Sequence, residues 1–240
     1  MKRLKKLTVF TFAIFFIAPQ SCGLTGNKAT KTGSVLHIIK TEKAYTAEIQ
    51  GDSLKRMVSL TKYLQPFNVE WKYATPDNFT KVVLYNNPDA FVRLPAARAL
   101  QSIQNELKQK NIGLKFFDAY RPYSVTVKMW EVVPDERYAA NPARGSGHNR
   151  GVAVDVTLIN LTTGKELLMP TAFDNFTEKA HHNYMQLPSE AITNRQLLKS
   201  IMEKYGFVAL ETEWWHYYLP NPTQYSLMDL SFDQLRKLVL

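Results

Sequence analysis

Residues 151–158, GVAVDVTL, constrain the fold more tightly than any other stretch of this 240-residue chain. Val152, Val154, Val156 and Leu158 occupy every second position, with Ala153, Asp155 and Thr157 between them. Successive side chains on a strand point to opposite faces, so the pattern predicts a β-strand with one continuous apolar face. Asp155 falls on the other face. There it is either a solvated residue on an open side of a sheet or one of several groups aimed into a site. His148 stands seven residues earlier, directly after Ser146-Gly147, and keeps the second alternative in play.

The neighbouring segments supply the layers that such a strand needs. In LPAARALQSIQNELKQKNIG, Leu100, Ile103 and Leu107 follow helical spacing, with Gly113 as the expected terminator. LKFFDAY reads as a second strand running into Arg121-Pro122, and SVTVKMWEVV as a helix capped by Ser124. SEAITNRQLLKSIMEKYGF is a further helix, with Ile201, Met202 and Tyr205 on its apolar side and Gly206 as its stop. FVALETEWWHYYL closes the chain's β structure. Helices and strands mix without a regular βα alternation and without a glycine-rich phosphate loop, so the expected fold is α+β, an antiparallel sheet with flanking helices.

The first 22 residues differ from the rest. Lys2, Arg3, Lys5 and Lys6 precede an uncharged run from Leu7 to Ala18, which ends near Ser21-Cys22. A basic head and a short apolar run are the parts of an export signal, and about a dozen apolar residues fall short of a membrane-spanning helix. Residues 1–21 are therefore expected to be a signal peptide, residues 22–34 a flexible tether, and residues 35–240 the folded domain. Cys22 is the single cysteine, so no internal disulfide can form. Its position resembles a lipoprotein signal. That implies a lipid anchor on Cys22 and a place in the bacterial cell envelope, on the periplasmic side; ordinary cleavage with release and an uncleaved segment are the alternatives. Without residues 1–21 the net charge falls from +9 to +5, and no Lys/Arg stripe interleaved with aromatics remains, which counts against nucleic acid as a partner.

Five histidines are present, and two lie beside acids at suggestive spacing: His148 with Asp155, and Glu213 with His216. Imidazole and carboxylate are good zinc ligands, and a catalytic zinc usually takes three protein ligands and leaves one position open. His148, Asp155 and His216 could fill the three, with Glu213 left as a general base. On a regular strand residues 213 and 216 face opposite ways, so Glu213 has to precede the strand or sit at a bulge. Spacing alone leaves the plainer reading open, in which both histidines are structural. His181 and His182 fall outside the pattern and read as structural residues.

GSGHNRGVAVDVTL together with EWWHYYL resembles the D-alanyl-D-alanine dipeptidase family. WKYATPDNF, FFDAYRP, FDNFTEKAHH and SIMEKYGF match in the same order, so the resemblance spans roughly residues 68–220. It implies a Hedgehog/D,D-peptidase-like zinc peptidase fold and one Zn2+ per chain on His148, Asp155 and His216. It further implies Glu213 as base and then proton donor, and Arg121 as the group that stabilises the transition state. Tyr73, Ser146, Asp174 and Trp214 match positions near the substrate. The stretch from Trp130 to His148 is shorter than in the vancomycin-resistance members, which implies a more open roof over the cleft.

The activity so implied is hydrolysis of a small D,D-dipeptide, D-alanyl-D-alanine, to two D-alanines in cell-wall peptide turnover, with peptidoglycan fragments as further partners. Two alternatives stand beside it. One is a D,D- or L,D-carboxypeptidase acting on peptidoglycan stem peptides. The other is a non-catalytic, zinc-stapled wall-binding lipoprotein.

Overall fold

The computed structural model describes residues 36–239; the expected signal peptide and the whole of the expected tether, with Cys22, lie outside the described residues. In chain order the elements are β1 (Ile38–Ile39), α1 (Glu42–Gly51), β2 (Met57–Ser59), α2 (Leu60–Tyr63), β3 (Asn68–Val69), β4 (Phe91–Arg93), α3 (Leu94–Lys108) and β5 (Ile112–Asp118). They continue with α4 (Tyr123–Val132), β6 (Ala153–Asn160), α5 (Ser189–Lys204), β7 (Val208–Ala209), β8 (His216–Tyr218), β9 (Leu227–Met228) and α6 (Phe232–Leu238). Among the described residues no helix is long and apolar enough to cross a membrane.

Five strands form the main sheet in the order β3-β5-β6-β8-β7. All pairings are antiparallel except the short edge pair β3–β5. The expected α+β architecture is therefore present, with one parallel edge. The alternating strand is β6, at the centre. Val154, Val156 and Leu158 join Leu114 and Phe116 of β5 in a core that also takes Leu100 and Ile103 of α3 and Leu198 and Met202 of α5. A second core, around Tyr45, Met57, Phe91, Tyr120 and Phe232, packs the N-terminal helix, β2, β4 and α6 together.

The open sheet face allowed for in the sequence does not exist at β6. Ala153 through Ile159 are all buried, and Asp155 is only 3% exposed. A carboxylate in that position needs partners, because removing its water without replacement costs several kcal/mol.

Helix boundaries depart from the sequence reading in two places. α3 stops at Lys108, and the left-handed residue after it is Asn111 (φ 58°), not Gly113. Gly113 lies inside β5, where a Cβ would come within 2.6 Å of Leu161, so its small size serves close packing. α4 begins at Tyr123 directly after Pro122, and Ser124 does not cap it; the Ser124 N–H donates to the Asp229 carboxylate at 2.8 Å. Gly206, at φ 90°, does end α5 as expected.

His182 is buried against the ring of Tyr217, and neither ring nitrogen has a hydrogen-bond partner. Burial, reinforced by Lys199, pushes its pKa down to about 4 from the ordinary 6.5. The folded protein thus holds His182 neutral where the unfolded chain would protonate it. That stability is intact above pH 6.5 and is lost as pH falls towards 4. Urea unfolding followed from pH 7 to 4.5 is expected to show a falling midpoint, and His182→Leu is expected to flatten that slope.

Candidate metal centre

The site begins with a register. Asp155 of β6 pairs directly with His216 of β8, so their side chains leave the same face of the sheet side by side. Asp155 Oδ1 lies 2.8 Å from His216 Nδ1. His148 approaches from the turn before β6, its Nε2 3.4 Å from Asp155 Oδ2 and 3.2 Å from His216 Nδ1. One ligand atom from each residue falls within 4.8 Å of the others.

Three such atoms converging on one point could share a cation, and the surroundings say how they are held. His148 Nδ1 is 2.7 Å from the Ala119 carbonyl, which can only accept, so Nδ1 carries a proton and Nε2 is the atom turned to the cluster. Burial works to raise the Asp155 carboxyl, but the two imidazoles outweigh it and hold the group well below the usual carboxylate range. Two imidazole nitrogens and one carboxylate match the ligand set of a catalytic zinc.

The turn that carries His148 is braced from behind. Asn149, fully buried, donates to the Arg121 carbonyl and to Thr126 Oγ1 at 2.9 and 2.8 Å, and its Oδ1 accepts from the Ser146 N–H. Ser146 Oγ in turn accepts from the Asn149 N–H at 3.1 Å. On the far side, the buried Arg93 donates from Nε to the Arg150 carbonyl and pairs with Glu48 at 2.7 Å.

Arg121 is held by a residue that the sequence reading did not single out. Asp118, at the end of β5 and fully buried, accepts from Arg121 Nε and Nη2 at 3.0 and 2.7 Å, while its other oxygen accepts from Tyr85 and from the Ala119 N–H. A register shift between Phe116 and Asp118 accompanies this placement. The signal was present in FFDAYRP: an acid closing an apolar strand three residues before an arginine. The guanidinium also lies over the Tyr73 ring, 5.1 Å from its centroid.

Glu213 precedes β8, in the turn, which resolves the facing problem posed by its spacing from His216. Burial pushes its carboxyl up to about 7; His216 works the other way, while Asp155 and Asp174 add to the rise. Asp174 takes a left-handed backbone (φ 59°) and accepts from Tyr73 OH at 3.2 Å and the Phe79 N–H at 3.4 Å. Burial, then repulsion from Asp155, also brings it to about 7.

These groups line one cleft of about 240 Å³, which brings together Tyr73, Arg121, Ser146, His148, Asp155, Asp174, Glu213 and His216. Trp214 is not among them. It is 1% exposed and points away, its Nε1 donating to Thr171 Oγ1 at 2.9 Å, and Trp215 walls the cleft instead. His37 and His181 lie outside the cluster.

The family model for D-ala-D-ala dipeptidases matches residues 53–234. The chain belongs to that dipeptidase family. The Escherichia coli D-alanyl-D-alanine dipeptidase is 34% identical over 172 residues, covering 72% of this chain and 89% of the relative. Those of Enterococcus faecalis and Streptomyces coelicolor are 35% and 34% identical over 182 residues, covering 65% of this chain and 90% of each relative. Two solved structures, a mutant vancomycin-resistance D,D-pentapeptidase in complex with Zn(II) and an LD-carboxypeptidase, superpose with a TM-score of 0.36 each. Their identities are 13% and 19%, over 57% and 62% of this chain and 78% and 70% of theirs.

As a member of this family the chain is a metallopeptidase. Among the described residues, Arg121 is held by a single carboxylate, that of Asp118. Asp118→Asn is expected to lower peptidase activity by roughly 100-fold, the scale of losing one oriented polar group in an active site. Metal content measured on the same samples should stay at the wild-type level.

Proposed function

We propose that this chain is an envelope zinc dipeptidase that hydrolyses D-alanyl-D-alanine to two D-alanines. The observation that carries the proposal is the meeting, in one small cleft, of three convergent ligand atoms, a buried glutamate, a fixed guanidinium and a second carboxylate. His148, Asp155 and His216 would hold one zinc. Bound zinc would supply Lewis acidity, polarising the scissile carbonyl and acidifying water.

The chain's own residues account for the rest. Asp174, backed by Tyr73, receives the dipeptide's ammonium at one end of the cleft. Arg121, locked on Asp118, faces the oxygen on which negative charge develops as water adds to the carbonyl. Glu213, with its pKa brought to about 7, takes the proton from the attacking water and passes it to the leaving amine. The carbon–nitrogen bond breaks, and one free amino acid leaves from each side. A zinc kept only as a structural staple would normally have four protein ligands; three are grouped among the described residues.

The export-type N-terminus supports a periplasmic site of action, with lipid on Cys22 as the anchor. An enzyme held there acts on wall-derived dipeptide, in recycling or nutrient use, and does not deplete a cytoplasmic precursor pool. Recovery of the protein in the cytoplasmic fraction of its host would overturn this part.

Release of D-alanine from D-alanyl-D-alanine by the zinc-loaded protein tests the activity, with N-acetylated dipeptide and L-alanyl-L-alanine run alongside. The free D,D-dipeptide is expected to be cleaved, and Glu213→Ala or chelation is expected to abolish cleavage. Hydrolysis of the blocked substrate would move the assignment to a carboxypeptidase. Asp174 sets the pH response: an arriving ammonium favours its charged form, so binding displaces a proton below about pH 7. KM is expected to rise as pH falls below that point, by at most about tenfold per unit. Asp174→Asn should raise KM and remove the dependence.

A further inference from the structure

A second cavity, of about 490 Å³, opens beside the cleft, and Tyr138, Asp174 and Phe176 line both. The rest of its wall is mainly apolar and includes Phe79, Val133 and Phe173. Phe176 forms the partition. Its ring centroid lies 5.9 Å from that of Trp215, on the cleft side, and 5.6 and 5.0 Å from those of Phe79 and Tyr138. Asp174 stands on the same boundary: one carboxylate oxygen accepts from Tyr73, which lines the cleft, and the other from the backbone of Phe79, which lines the groove.

The position of that carboxylate has a consequence for substrate choice. An ammonium paired with Asp174 is bonded to a carbon that also carries the side chain of the substrate's amino-terminal residue. This side chain therefore starts at the boundary between cleft and groove. The methyl of alanine is too short to fill a cavity about twice the volume of the cleft. A branched aliphatic or aromatic side chain would extend over Phe176 and remove apolar surface of both partners from water. We propose that this groove is a side-chain subsite, through which the enzyme accepts dipeptides whose amino-terminal residue is large and apolar. The inference rests on the dipeptidase reading given above, with Asp174 as the ammonium partner.

The test compares D-alanyl-D-alanine, D-leucyl-D-alanine and D-phenylalanyl-D-alanine on the zinc-loaded protein, with Val133→Trp to fill the groove and Phe79→Ala to widen it. The kcat/KM for D-leucyl-D-alanine is expected to equal or exceed that for D-alanyl-D-alanine. Val133→Trp should lower the leucyl value about tenfold through KM and leave the alanyl value within about twofold, the scale of lost methylene contacts in an apolar pocket. Phe79→Ala should shift preference from the leucyl to the phenylalanyl substrate. Calorimetric binding to the Glu213→Ala protein should follow the same order without turnover.

Cleavage of D-alanyl-D-alanine with neither cleavage nor binding of the larger dipeptides overturns the subsite and leaves the dipeptidase standing. Equal loss of all substrates in Val133→Trp also overturns it. If no dipeptide is cleaved, the dipeptidase reading fails and calorimetry decides the groove: tighter binding of the leucyl dipeptide upholds it, and no binding removes it.

Discussion

The pairing of β6 with β8 in a single register is what the site depends on. Asp155 opposite His216 puts carboxylate and imidazole 2.8 Å apart, and the turn before β6 has only to deliver His148 to that pair. A slip of one residue would turn Asp155 into the helix-packed core and Val154 or Val156 into the cleft. The valines packed in the core with α3 and α5 therefore fix the geometry of a polar cluster on the other face of their strand. Here the hydrophobic pattern of one strand specifies both the core and the position of the ligands.

Around that pair the charges do not balance, and the imbalance is informative. Asp155, Asp174 and Glu213 line the cleft, while Arg121 is already committed to Asp118. Asp174 and Glu213 both rise to about 7, with Asp155 contributing to each shift. A small, partly dehydrated volume with this excess of acid favours cations. The divalent ion proposed at the histidines and the ammonium proposed at Asp174 would be two answers to the same electrostatic demand.

Much of this was legible in the chain, and the limits have physical reasons. The alternation of β6, the apolar stripe of α3 and the stop at Gly206 are local patterns, and the structure has them where they were read. Strand geometry alone left Glu213 two places, before its strand or at a bulge, and the structure has the first. Asp118 was missed because its role is set by a register shift and by partners at Tyr85 and Arg121, which no single period reveals. Trp214 was placed at the substrate from its neighbours in EWWHYYL. Between adjacent tryptophans only the backbone path decides which ring faces the cleft, and here it is Trp215. Ser124 lost its expected capping role to Pro122, and its N–H is taken by an aspartate more than a hundred residues away.

The hairpin of β7 and β8 supplies Glu213 and His216, and its outer strand, Val208–Ala209, is only two residues long at the edge of the sheet. Short edge strands are where local opening is easiest. β8 is held to β6 by three residue pairs as well as to β7, so opening of that edge would leave Asp155 and His216 in register while loosening the turn that carries Glu213. The polar pair and the glutamate beside it thus rest on different parts of the sheet, the pair on its interior and the glutamate on its edge.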